Sequence, residues 1–246
     1  MAAKNPEGLI RIAEGFERSG DYAGARELYA QALAAKPDLT EAAIGLAKAN
    51  ARLGRTDEAV SQLTLLLSQD AGNRDARFTL AQIHAREGRY QSALSQLSQI
   101  SELDPADLVL RGKLKHLTGT SDDGHIDIMA ALDLAPKQPG ILTDAGFSFA
   151  LVEDYAGSIA LLRQSLDRPT FGSRAEQGLA LVYALSGQRQ LALRLARDIL
   201  PVEEIQRLEP YFRYLPRFSQ QEKAAALFFD RVPNETIARF INNATN

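Results

Sequence analysis

Apolar and small side chains in this chain fall at helical spacing, and the whole pattern recurs every 34 residues or so. Residues 6 to 39 set the frame with Ile12-Ala13, Phe16, Gly20-Asp21-Tyr22, Ala25, Tyr29, Ala32 and Pro37. The next register holds Leu46-Ala47, Gly54 and Ala59, and the one after it Leu80-Ala81, Gly88-Arg89-Tyr90, Ala93 and Pro105. Further on the frame resumes with Gly146, Phe149, Asp154-Tyr155 and Leu162, then with Ala180, Tyr183, Gly187 and Ala192. Each unit reads as two antiparallel helices, joined where glycine supplies a positive φ, with small residues where the helices cross closely. Pro37, Pro105 and Pro136 are expected just past the second helix of their units, where a missing N–H stops a helix.

The repeats divide as 6–39, 40–73, 74–107, an irregular 108–138, 139–172 and 173–200. Pro105 and Pro136 stand closer than a full repeat requires, and the run Thr118 to Gly124 favours turns, so a lengthened loop or a shortened helix is expected in the irregular unit, with a change of curvature. Residues 201–246 read as a C-terminal helical cap of three helices, 201–215, 219–231 and 233–243. Ser219 is an N-cap with Glu222 three residues on, as in a capping box, and Pro216 and Pro233 are breaks. The cap collects Tyr211, Phe212, Tyr214, Phe218, Phe228, Phe229 and Phe240, as an open stack of helices needs at its end.

Composition agrees with an all-α chain: Ala, Leu, Arg, Glu and Gln recur while Val, Ile and Thr are sparse. The formal charge of -3 comes from interspersed residues with no basic block, so nucleic acid is not an expected partner. With no cysteine, neither disulfides nor thiolate metal sites can form, and both reducing and oxidising compartments stay open. The start lacks the regions of a secretory signal, and no apolar run is long enough to span a membrane.

The filled positions, unit after unit, resemble the tetratricopeptide repeat (TPR). That resemblance covers residues 6 to about 200 and implies a right-handed α-solenoid of about six helix-turn-helix repeats. A narrower likeness lies in Asp144-Ala-Gly-Phe-Ser-Phe-Ala-Leu, Ala180-Leu-Val-Tyr-Ala-Leu-Ser-Gly-Gln and Arg197-Asp-Ile-Leu-Pro-Val-Glu-Glu, followed by Tyr211-Phe-Arg-Tyr-Leu215. These segments are similar to the last repeats and exit helix of TadD-type proteins, the TPR lipoproteins of tight-adherence (Tad/Flp) pilus assembly. The likeness implies a periplasmic, outer-membrane-tethered pilotin that stabilises the pilus secretin. The lipid-attachment cysteine of that family has no counterpart here.

In such repeats a stripe of the first helix at i, i+4, i+7 and i+8 faces the concave groove. It reads Ile10, Glu14, Glu17, Arg18, then Ile44, Lys48, Ala51, Arg52, then Phe78, Gln82, Ala85, Arg86. In the fifth and sixth units it becomes Thr143, Phe147, Ala150, Leu151 and Gln177, Leu181, Ala184, Leu185. The groove residues expected to meet a partner are therefore Phe147, Leu151, Leu181, Leu185, Phe78, Lys48, Arg52 and Arg86. The apolar half calls for a cover, either an amphipathic partner helix or the chain's own aromatic tail.

Lys48 and Arg52 resemble half of a carboxylate clamp, which motivates an alternative: a cytosolic co-chaperone or signalling adaptor binding peptide C-termini. Glu14 and Glu17 would repel such a carboxylate. Asp122, Asp123, His125 and Asp127 lack the spacing and closing Glu of a calcium loop, His116 lies nine residues before His125, and His84 falls on a packing position. No nucleophile–base signature, phosphate loop or dinucleotide fingerprint appears, so no enzyme, metal or cofactor is expected.

Overall fold

The computed structural model describes residues 5–166, 172–199 and 202–229, and every regular element among them is a helix. The chain forms two compact units, residues 1–102 and 103–246, so the cap beyond residue 200 belongs with the later repeats.

Unit 1 is three antiparallel helix pairs: α1 (Pro6–Arg18) with α2 (Tyr22–Ala35), α3 (Thr40–Arg52) with α4 (Thr56–Gln69), and α5 (Arg74–Arg86) with α6 (Tyr90–Leu97). Each pair turns at a glycine of positive φ: Gly20 at 82°, Gly54 at 81° and Gly88 at 76°. Asp21 then starts α2 by accepting the Gly24 N–H at 2.8 Å, satisfying a donor that the helix cannot. The pairs stack because small residues meet at the crossings. Ala13, Ala25, Ala32 and Ala42 are fully buried in the seam that joins α1, α2 and α3. The Tyr29 ring lies against Gly45 of α3, where any Cβ would clash with it.

Unit 2 continues with α7 (Pro105–Thr118) and α8 (Ser121–Leu134), α9 (Pro139–Leu151) and α10 (Tyr155–Leu166), and α11 (Gly172–Leu185) and α12 (Arg189–Ile199). After these come α13 (Val202–Tyr214), a 3₁₀ turn (Leu215–Arg217) and α14 (Gln220–Phe229). Phe147 of α9 rests on Gly178 of α11 as Tyr29 rests on Gly45.

The irregularity predicted for residues 108–138 lies one repeat earlier. Pro105 does not end a helix. It opens α7, capped by Asp104, which accepts the N–H groups of Ala106 at 2.8 Å and Asp107 at 3.0 Å while Asp107 reaches back to the Asp104 N–H. Pro139 also stands at the first position of a helix, α9, there without a side-chain cap, so Pro105 corresponds to Pro139 and the fourth repeat is full length. The shortening is in α6, which has 8 residues where α2, α4 and α8 have 14. Within Thr118–Gly124, only Gly119 and Thr120 separate α7 from α8, with Gly119 left-handed at φ 93°.

The tail covers the end of the stack. Ser219 and Glu222 form the predicted capping box: the Ser219 N–H donates to Glu222 Oε2 at 2.8 Å and the Glu222 N–H to Ser219 Oγ at 3.3 Å. Tyr211, Phe212, Tyr214, Phe218 and Phe228 are buried, and Phe229 is half-buried. Helix α13 packs on α11 and α12, the 3₁₀ turn on α11, and α14 on α7 and α9. Burial of Leu227 and Phe228 contributes about 1.5–3 kcal/mol each. The predicted helix 233–243, with Phe240, lies outside the described residues.

The turn glycines of unit 2 are Gly119 and Gly187, and between them the corresponding place is taken by Glu153 at φ 66°. A side chain there strains the backbone by about 1–2 kcal/mol. Glu153→Gly is expected to stabilise the fold by about 1 kcal/mol, read as a rise in the urea midpoint at constant slope.

Candidate functional site

In unit 1 the first-helix stripe borders a hollow of about 410 Å³. Its floor is Tyr29, Ile44 and Gly45, and its walls carry Glu14, Glu17, Glu41 and Asp75, with Lys48 the one cation among its lining residues. Burial raises the Glu17 carboxyl above its usual range and Glu14 adds to this, while Lys48, the Tyr29 hydroxyl and Arg52 pull the other way. Burial and the neighbouring Glu17 and Glu14 likewise push the Tyr29 hydroxyl up. The hollow is thus short of positive charge.

Of the residues expected here, Lys48, Arg52 and Arg86 are exposed and Phe78 is half-buried. Lys48 lines the hollow; Arg52 leans over the Tyr22 ring at 5.6 Å, and Arg86 donates to the Ala51 carbonyl at 3.3 Å. Phe78 lies under the Arg74 guanidinium at 5.9 Å. Glu41 and Asp75 were missed because the stripe begins three residues further along each helix. They stand at equivalent places of successive repeats, and that recurrence of acids is the signal that reveals them.

In unit 2 the apolar stripe is covered by the chain itself. Phe147 is 1% exposed, Leu151 2% and Leu185 5%, while Leu181 is half-buried. The ring of Phe228, on α14, meets that of Phe147 edge-on with centroids 5.9 Å apart. These four residues were expected to line the concave groove, covered either by a partner helix or by the chain's own aromatic tail. Of the two covers, the tail is the one seen at Phe147, where α14 lies across α7 and α9.

Polar groups stand among these apolar ones. Asp144 of α9 is buried, with Lys113 of α7 at 2.7 Å and Arg174 of α11 at 2.8 Å. Lys113 also lies over the Phe228 ring at 5.7 Å, and Arg174 over Phe147 at 5.2 Å. Burial lowers the Lys113 ammonium below its usual range, Asp144 opposes the shift and Arg174 adds to it. On the α7–α8 face Asp127 pairs with Arg111 at 2.6 Å and Lys115 at 2.9 Å. Burial alone would raise this carboxyl, but the hydrogen bonds and charges of the two cations hold it below its usual range. These partners, rather than a calcium loop, account for Asp127.

His116 and His125 meet at one hydroxyl: Ser148 Oγ is 3.0 Å from His116 Nε2 and 2.9 Å from His125 Nδ1. Ser148 and His116 are fully buried, and His116 lies under the Phe228 ring, centroids 5.5 Å apart. The arrangement pairs a serine with two histidines, but neither Ser148 nor His116 is accessible to a substrate. His84 is half-buried, and burial, with Arg89, lowers its pKa.

The tetratricopeptide-repeat family model matches residues 18–71 and 52–115. No curated protein matches the sequence. Among solved structures, the chain is similar to a tetratricopeptide repeat protein from Parabacteroides merdae (18% identity, 98% of this chain and 99% of that one, TM-score 0.66). It is also similar to PilF of Pseudomonas aeruginosa (16%, 84% and 97%, TM-score 0.66). A third is PilW, a widely conserved type IV pilus biogenesis factor (14%, 82% and 97%, TM-score 0.69). Residues 18–115 thus carry tetratricopeptide repeats by the family model, and the likeness to these structures shows an all-α TPR repeat fold. Proteins of this class are generally non-catalytic scaffolds that bind other proteins.

Burial, with a smaller contribution from His125, lowers the His116 pKa from 6.5 to about 4. A depressed folded-state pKa leaves stability intact above the unfolded-state value and removes it as pH falls toward the folded-state one. Unfolding in urea at pH 7.5 and at pH 5 should therefore differ by about 2 kcal/mol, with the lower stability at pH 5. His116→Gln, which cannot titrate, should remove most of that difference.

Proposed function

We propose that this protein is an assembly scaffold for a bacterial pilus, a TadD-type pilotin that holds a segment of the pilus secretin, or of another pilus-assembly component, on the concave face of unit 1. The observation that carries the reading is the hollow of about 410 Å³, apolar at its floor and rimmed by four carboxylates and one lysine. A segment that offers an apolar side chain to Tyr29 and Ile44 and a basic one to Glu17 and Glu41 fits it. The cation would relieve the burial that raises the Glu17 carboxyl. Stacked helices hold these groups in place before the partner arrives, so little further ordering is lost on binding.

The assignment to pilus assembly is supported by the likeness of fold to PilW. It is supported also by the segments from Asp144 to Leu215 that resemble TadD-type proteins. In that setting the protein acts in the periplasm, tethered to the outer membrane by a lipid anchor. Among the described residues no helix is long and apolar enough to cross a membrane. The rival reading, a cytosolic co-chaperone or adaptor gripping peptide C-termini, would bring a carboxylate against Glu14, Glu17 and Glu41, where like charges repel.

Immobilised protein exposed to detergent-solubilised envelope proteins is expected to retain the secretin. Glu17→Lys combined with Glu41→Lys should weaken that capture about tenfold or more, a loss of about 1.4 kcal/mol, with helical circular dichroism unchanged. Unaltered capture by the double variant, or binding that depends on the free C-terminus of an acidic peptide, would contradict the proposal.

A further inference from the structure

The floor beneath α14 is not built like a permanent core. Lys113 and His116 of α7, Asp144 and Ser148 of α9 and Arg174 of α11 lie in or beside it. A seam sealed for structural reasons favours apolar side chains, because each buried polar group must be matched. Here two cations share the one carboxylate of Asp144, Lys113 within the floor and Arg174 at its exposed edge, which leaves one more positive charge than negative among the three. His116 is wholly buried, and its Nδ1 has no hydrogen-bond partner among the described residues.

The cover is slight by comparison. Helix α14 has 10 residues, of which Ala224, Ala226, Leu227 and Phe228 are buried, and an isolated helix of that length is marginal. It lies back along α7, with Gln221 beside Gly119 at one end and Phe228 beside Lys113 at the other. In sequence the segment continues Leu227-Phe228-Phe229-Asp230, an aromatic pair followed by an acid.

We propose that α14 is an internal stand-in for a partner: the concave face of unit 2 is a second docking groove, closed by the chain's own tail. Its occupant is an amphipathic helix that places an aromatic ring where Phe228 sits and follows it with a carboxylate. The ring takes the seat between His116 and Phe147, and the acid answers the excess charge at Lys113 and Arg174. Such a helix competes with α14 for the same floor, so the groove opens only to a partner that outbids a tethered rival. The proposal concerns unit 2 alone and stands whether or not unit 1 holds a secretin segment.

The test uses a fluorescein-labelled peptide with the sequence of residues 219–230, titrated into the full chain. Phe228→Ala, which weakens the internal rival, is expected to bind the peptide about tenfold or more tightly than the unaltered chain does. Adding Lys113→Gln, or replacing the peptide's final Asp by Asn, should reverse several-fold of that gain, whereas Glu17→Lys in unit 1 should leave it unchanged. Folded Phe228→Ala protein that binds no better than the unaltered chain would overturn the proposal. Should that variant fail to fold, hydrogen exchange on the unaltered chain decides: amides of α14 exchanging about tenfold or more faster than those of α9 support it, and equal protection overturns it.

Discussion

A helix with one apolar stripe must bury that stripe, and within each unit of this chain a helix pair does so against its neighbour. The contact depends on bare backbone at the crossing. Tyr29 can lie on α3 only because residue 45 is glycine, and Phe147 on α11 only because residue 178 is. The alanines at 13, 25, 32, 47, 59 and 81 serve the same close approach within their seams. Stacking of this kind has no internal end, so the last pair needs a cover. Helix α13 and the 3₁₀ turn supply it, and the chain then returns α14 across α7 and α9, which makes the contrast between an open concave face in unit 1 and a filled one in unit 2.

That contrast organises the chemistry. In unit 1 the hollow is wet enough to keep four carboxylates around one lysine, and its missing positive charge is what a guest would bring. In unit 2 the tail excludes water from groups that would ordinarily be solvated. Asp144 then holds two cations at hydrogen-bond distance, and His116 is kept neutral well below its usual range.

Much of the fold was legible from residue spacing, because helix pairing writes itself into the chain as glycine at the turn and small residues at the crossing. The capping box at Ser219 and Glu222 was legible for a similar reason: both partners are local. The third repeat was misread, since proline both ends and opens helices, and only its cap shows which. Asp104 and Asp107 mark Pro105 as an opening. The groove residues divide along the same line. Lys48, Arg52 and Arg86 stay exposed because their surroundings are set within neighbouring repeats. The burial of Phe147 depends on Phe228, about 80 residues later, which no local period encodes. The meeting of His116, His125 and Ser148 is likewise a product of three helices.

The claim on which most rests is that the tail sits in the concave face of unit 2 in solution. Nuclear Overhauser contacts between the ring protons of Phe228 and those of His116 and Phe147 measure it directly. The account predicts strong cross-peaks to both rings, in keeping with centroid separations of 5.5 and 5.9 Å. Their absence in folded protein, with Phe228 showing the shifts of a solvent-exposed ring, would contradict it.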